Sequence, residues 1–136
     1  MSVFNVLNTA IYSKLTGGTA LTSLLASGSA VYYLQAIDNA TLPYIVFDHP
    51  GGGPQNINPS DMRSQLVQVR CYALSPALSG SIDAQASALL DRKTLSVTGY
   101  TNFVTVRETD VSSVEVPEDG TKIYMSGASY RVRLDS

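Results

Sequence analysis

The sequence predicts a mixed α+β fold. Apolar residues at helical spacing open the chain, a second helical pattern fills its middle, and the rest breaks into short runs of β-branched and aromatic residues that close on a long two-strand signal. At 136 residues the expectation is one domain, 1–136, burying about two thirds of its unfolded surface around one core.

Each element has a local cause. Ser2 precedes Phe4, Leu7, Ile11 and Leu15, whose spacing puts them on one stripe of a helix ended by Gly17 and Gly18. Such a stripe is expected to dock on a sheet. Thr19 is expected to cap a short second turn carrying Leu21, Leu24 and Leu25, which Gly28 stops. Residues 31–34, 44–48 and 65–73 read as strands. In the third, Val67, Val69, Cys71 and Ala73 alternate with Gln68, Arg70 and Tyr72, so one face meets a core and the other meets water or a partner. Cys71 therefore reads as a small buried hydrophobe.

Residues 79–94 return to helical spacing, with Ile82, Ala86, Leu89 and Leu90 on one side and Asp83, Gln85, Asp91 and Arg92 on the other. Strand signals follow at 95–97, 103–106, 114–116 and 123–134. Pro117-Glu118-Asp119-Gly120 reads as a hairpin tip, because Pro presets one φ and Gly accepts a positive one. Residues 49–61 are the one long irregular piece.

Composition excludes several functions. The chain is 44% apolar and 15% charged, with net charge -2, which is too apolar and too weakly charged for intrinsic disorder. Lys and Arg are not clustered as general phosphate binding requires. One cysteine and one histidine supply neither a disulfide nor a zinc set, so no metal site is expected. No run approaches the roughly 20 apolar residues that span a bilayer, and the first ten residues lack the pattern of a signal peptide. The expectation is a soluble chain made in a cytoplasm, without membrane contact.

No catalytic set emerges. His49-Pro50-Gly51-Gly52-Gly53 faintly matches the oxyanion loop of lipases, but the nearest nucleophile string, Gly127-Ala128-Ser129-Tyr130-Arg131, has Arg where Gly is required. A small hydrolase using His49 and Ser129 is kept as a rival reading, as is a ligand-binding module with a cavity lined by Phe4, Leu7 and Leu89. The glycine run is followed by Pro54-Gln55-Asn56, with no Lys-Ser/Thr pair and no helix directly behind it, which argues against a nucleotide site. Glu108, Asp110, Glu115, Glu118 and Asp119 are scattered around the last hairpin, without the pattern that wraps calcium.

The order of elements carries more information than any one residue. A helix and a Leu-rich turn lead to a strand and then to Leu42-Pro43-Tyr44-Ile45-Val46-Phe47. Next come Val67-Gln68-Val69-Arg70-Cys71-Tyr72-Ala73, an alanine-rich helix and a closing strand ending Ser129-Tyr130-Arg131-Val132-Arg133-Leu134. This pattern resembles the tail completion, or tail terminator, family of tailed bacteriophages and prophages, from about Val3 to Asp135.

The resemblance implies a mostly antiparallel sheet with the N-terminal and central helices on one face and a long C-terminal hairpin. It implies a non-enzymatic virion protein without a cofactor, assembled in the bacterial cytoplasm. Copies would form a ring, usually sixfold, at the head-proximal end of the tail, where they stop tube growth and meet the head. Its partners would be the tail tube protein and a connector or neck protein. A head-side neck ring is the nearest alternative.

Among strand residues of the types that anchor interfaces, Tyr44, Arg70, Tyr72, Tyr130, Arg131 and Arg133, the expected partner-facing ones are Arg70, Tyr72 and Arg131. Gly51, Gly52, Gly53 and Pro54, with the tip Pro117, Glu118, Asp119 and Gly120, are expected to contact tube or neck. Genome DNA would pass through without specific binding, past lumen-facing Asp110, Glu115 and Glu118.

Overall fold

The computed structural model describes residues 3–37, 40–55 and 62–135. Along the chain come α1 (Val3–Thr16), α2 (Thr19–Thr22), β1 (Val31–Tyr33), β2 (Tyr44–Pro54), β3 (Met62–Ala73), α3 (Pro76–Leu90), β4 (Thr101–Glu115) and β5 (Ile123–Asp135). The strands form one sheet in the order β1-β2-β3-β5-β4. Every pair is antiparallel except β1 with β2.

Alternation in the sheet fixes where the core sits. Gln65, Val67, Val69, Cys71 and Ala73 of β3 are buried, and β5 places Val132, Tyr130 and Ala128 opposite Gln65, Val67 and Val69. Over this face α3 lies on β3, β5 and β4, and α1 on β1, α2 and α3. Leu7, Ile11, Leu15, Ile82, Ala86 and Leu90 supply the helical half of the core. Each large side chain buried there contributes about 1.5–3 kcal/mol. Among the described residues no helix covers the opposite face of the sheet.

Several local expectations are corrected. Phe4 lies outside the α1 stripe and is exposed, because Val3, Val6 and Ala10 turn the buried face away from it. Ser2 lies outside the described residues. Gly18, not Thr19, occupies the N-cap of α2, without a side-chain hydrogen bond. Helix α3 starts three residues before the expected position 79 and ends at Leu90 rather than at 94. Ser75 Oγ accepts from Leu78 N at 3.1 Å and Pro76 opens the first turn, the two signals that set a helix start. Arg92, at φ 59, breaks the helical path.

Residues 95–97 are not a strand: Leu95 and Val97 are buried, but Leu95 N donates to the side-chain oxygen of Asn102 at 2.7 Å. The separate signals at 103–106 and 114–116 belong to one strand, β4, which stops at Glu115.

The largest correction concerns residues 49–54. They are not irregular but continue β2 against β3 after a bulge, since Asp48 pairs with Gln68 and the next paired residue, Gly51, with Leu66. Beyond Phe47 no strand among the described residues lies beside the outer edge of β2, so Pro50 and Pro54 sit there without losing a ladder bond. Gly52 is required: its φ is +114, and a side chain would strike the carbonyl of Ser64. The remainder of the expected loop, 56–61, lies outside the described residues.

Candidate interaction surface

The uncovered face of the sheet is set by the same alternation. Tyr44, Val46 and Asp48 of β2 pair with Tyr72, Arg70 and Gln68 of β3, and Gln68 and Leu66 pair in turn with Ser129 and Arg131 of β5. Arg70 and Arg131, expected to face a partner, lie on this face, each neutralised by a carboxylate.

Arg70 donates to Asp48 Oδ2 at 3.2 Å, to the Tyr72 hydroxyl at 3.2 Å and to the Leu34 carbonyl at 3.5 Å. Tyr72 packs on Tyr44 at 5.4 Å, and Tyr44 on Tyr32 at 5.8 Å, so a row of phenol rings crosses β3, β2 and β1. Tyr72 is only 8% exposed, with its hydroxyl turned to the Arg70 guanidinium. Burial raises the pKa of Tyr44 and of Tyr72, and the nearby Arg70 partly offsets the rise at Tyr72, so both stay neutral phenols. Arg131 donates to Glu108 Oε1 at 3.0 Å and to Ser64 Oγ at 3.1 Å.

The other expected positions are scattered. Gly51 and Pro54 are exposed at the far end of β2, with Gly53 half-buried between them. The tip closes where Gly120 N donates to the Pro117 carbonyl at 2.9 Å, with Gly120 at φ 81. Asp119 Oδ1 accepts from Thr121 N at 3.0 Å, and Glu118 is exposed. Asp110 lies opposite Ala128, on the helix side of β4, and pairs with Arg107 at 2.7 Å. Glu115 instead lines a small cleft on the uncovered face with Tyr44, Arg70 and Tyr72. The three acidic residues expected to share a lumen thus occupy two faces of one hairpin and its tip.

The hydrolase pair is not assembled. Ser129 is buried on the uncovered face, opposite Gln68. His49 turns to the helix side, where its Nε2 meets Asn8 Oδ1 and its ring packs on Phe4 at 5.3 Å and Tyr33 at 5.6 Å. Among the described residues no group of three His, Cys, Asp or Glu side chains is placed to hold a metal. Cys71 is fully buried, and burial pushes its thiol pKa far up, which leaves it inert. No helix among the described residues is long and apolar enough to cross a membrane.

His49 gives the fold a pH dependence. Its Nδ1 is buried without a hydrogen-bond partner, and desolvation lowers its pKa below the ordinary histidine value while Asp48 pulls it part of the way back. The native state therefore binds fewer protons than the unfolded chain. The contribution of neutral His49 is full above about pH 6.5 and is lost as the pH falls. Unfolding midpoints measured between about pH 7.5 and about pH 5.5 should fall on acidification, and His49→Gln should flatten that part of the profile.

Sequence reasoning missed the node around Arg107. Its guanidinium donates to both Asp83 oxygens, at 3.0 and 2.8 Å, to Asp110 at 2.7 Å and to the Tyr130 hydroxyl at 3.2 Å, tying α3 to β4 and β5. The only signal was an acidic residue, Asp83, the one charge in the helix 76–90.

Comparison with known proteins adds to this geometry. The family model described as "Tail completion protein gp17" matches residues 9–134. A solved chain described as "Virion of native gene transfer agent (GTA) particle" superposes with a TM-score of 0.81 at 14% identity, covering 99% of this chain and 98% of that one. At that identity the likeness shows a shared fold. No curated protein matches the sequence.

Proposed function

Because the chain belongs to the tail completion protein gp17 family and is a structural protein of a phage tail, we propose that its copies form a ring at the head-proximal end of the tail tube. The ring stops tube growth and provides the tail side of the head-tail junction. The observation that carries this reading is the family match, which runs from α1 to the last residues of β5. Two further features support it: one face of the sheet is uncovered, and it presents tyrosine and paired arginine, the residue types that anchor protein interfaces.

In this reading the chain turns over no substrate. A ring requires that one patch of each copy meet a different patch on the next and that the rotation close. Arg70 and Arg131 face a partner, with Tyr72, expected beside them, packed behind Arg70, and each stable contact buries about 1,000 Å² or more. Gly51, Gly52, Gly53 and Pro54 at one end of the sheet, and Pro117, Glu118, Asp119 and Gly120 at the hairpin tip, meet tube or neck. Asp110, Glu115 and Glu118 lie on two faces of the hairpin and its tip and cannot all line one lumen, so a wall that does not hold DNA phosphates rests on whichever of them faces the opening.

Adding the purified protein to growing tail tubes tests the proposal. Elongation should stop at about one ring per tube, with density at one end only in micrographs. Tubes that lengthen unchanged while the protein binds isolated connectors would move it to the head side of the neck and contradict the terminator role.

A further inference from the structure

Among the described residues both ends of the sheet are free edges, and each carries an uncharged patch. Residues 17–37 contain no Asp, Glu, Lys, Arg or His, although much of the stretch is exposed. Its large apolar side chains collect where β1 ends: Tyr33 is 39%, Leu34 58% and Ile37 65% exposed. Beside them Ile37, Ala26, Ala30 and Tyr32 line a cleft of about 240 Å³. Surface exposed to water tolerates charge at almost no expense, so its depletion around clustered apolar groups marks the centre of an interface.

The opposite edge offers the counterpart. Near its start β4 is occupied, since Arg92 N donates to the Thr105 carbonyl at 2.6 Å and Asp91 Oδ1 accepts from Arg107 N at 2.9 Å. Among the described residues, the backbone of 109–115 pairs only with β5 and receives no backbone hydrogen bond from outside the sheet. Against this open part lies a cleft of about 350 Å³ between β4, β5 and the start of α3. Pro76, Ser79, Val114, Tyr124 and Met125 line it, with no charged residue among its walls, and Val114 is 52% exposed.

We infer that the β1 edge of one copy, through Tyr33, Leu34 and Ile37, seats in the cleft at Pro76, Val114 and Tyr124 of the next copy. The contact is electrostatically matched, because none of these six side chains is ionised and the β4 carboxylates Asp110 and Glu115 lie outside the cleft walls, whereas a charged partner seated there would lose its hydration without compensation. A second copy is the occupant because both halves of the pair stand on one chain, at the two ends of one sheet. A head-to-tail contact covers both in every copy, and two different patches meeting is the condition for a ring. Contacts of β1 with β1 would stop at two copies. The inference rests on the ring reading for closure and adds the surfaces that close it.

Single cysteines placed in a Cys71→Ala background test it: Ile37→Cys and Val114→Cys, used separately, mixed and combined in one chain. Each sample is bridged with a flexible bis-maleimide, both free and bound to tail tubes, and run on a denaturing gel, with light scattering of the unbridged protein alongside. The mixture should give a covalent dimer several-fold above either variant alone, and the doubly substituted chain a ladder ending at the ring number. Strong bridging of one variant to itself would overturn the head-to-tail contact. Rings in light scattering or on tubes without any bridge would overturn these edges and leave the ring reading standing. Protein that stays monomeric, free and on tubes, without a bridge, would overturn both.

Discussion

Gly127→Val should destabilise the protein by about 3 kcal/mol, lowering its melting temperature by about 10 °C. Gly127 lies in β5 opposite Arg70 of β3 and Val111 of β4. A side-chain carbon built there falls on the Val69 carbonyl oxygen and stands 3.0 Å from Arg70 Cα. These obstacles are backbone atoms of a central strand. They cannot rotate away as a flexible side chain would, so the substitution must open the β3–β5 ladder or bend it. The loss is a large share of the total stability of a domain of this size. Denaturant unfolding of the purified variant measures it, and Gly80→Val in α3, where an added side-chain carbon meets nothing within 4 Å, serves as a control in which only helix propensity changes. Equal stability of parent and Gly127→Val would show that the strands stand further apart than described.

Arg107→Ala should follow, at about 3 kcal/mol. The pair with Asp83 is largely shielded, with side-chain exposures of 21% and 17%, so removing the cation leaves a carboxylate with little water to turn to. Hydrogen bonding to Asp83 raises the Arg107 pKa, burial opposes the rise, and the bond to Asp110 adds to it, so the group stays charged at any working pH. The guanidinium also stands 5.9 Å from the centroid of the Tyr130 ring, and that contact is lost with it. Removing both charges as Arg107→Met with Asp83→Leu should recover much of the loss, since a buried pair contributes less net stability than its rupture costs. Urea midpoints of the parent, the single variants Arg107→Met and Asp83→Leu and the double variant decide this. Additive losses would mean that the two side chains act independently. The Arg107–Asp110 bond should matter little, because Asp110 is 82% exposed.

These two sites show where sequence reading stops. Strict alternation along Val67, Val69, Cys71 and Ala73 identified the core face of β3 and the uncovered position of Arg70, because a pleated strand leaves those residues no other choice. Helical spacing found the Leu7-Ile11-Leu15 stripe but misassigned Phe4 at its margin, where a three-to-four repeat fits two adjacent faces. The Gly and Pro residues of 50–54 resemble a loop, yet a bulge and an unpaired outer edge let the strand continue through them. Polar residues 107–113 of β4 hide a strand because this edge has little core beneath it. The Arg107 node was illegible because Asp83, Asp110 and Tyr130 come from three elements that only the tertiary fold brings together. The uncharged edge at 17–37 was written in the sequence, but its meaning depends on its lying along a free margin of the sheet.

Phage-type particles assembled without this chain reveal most directly whether it terminates and joins the tail. Electron micrographs of particles assembled with the gene deleted should show tails of irregular length lying apart from filled heads. Restoring the protein should return one length and one junction. Tails of ordinary length, joined to heads in the absence of the chain, would contradict that role.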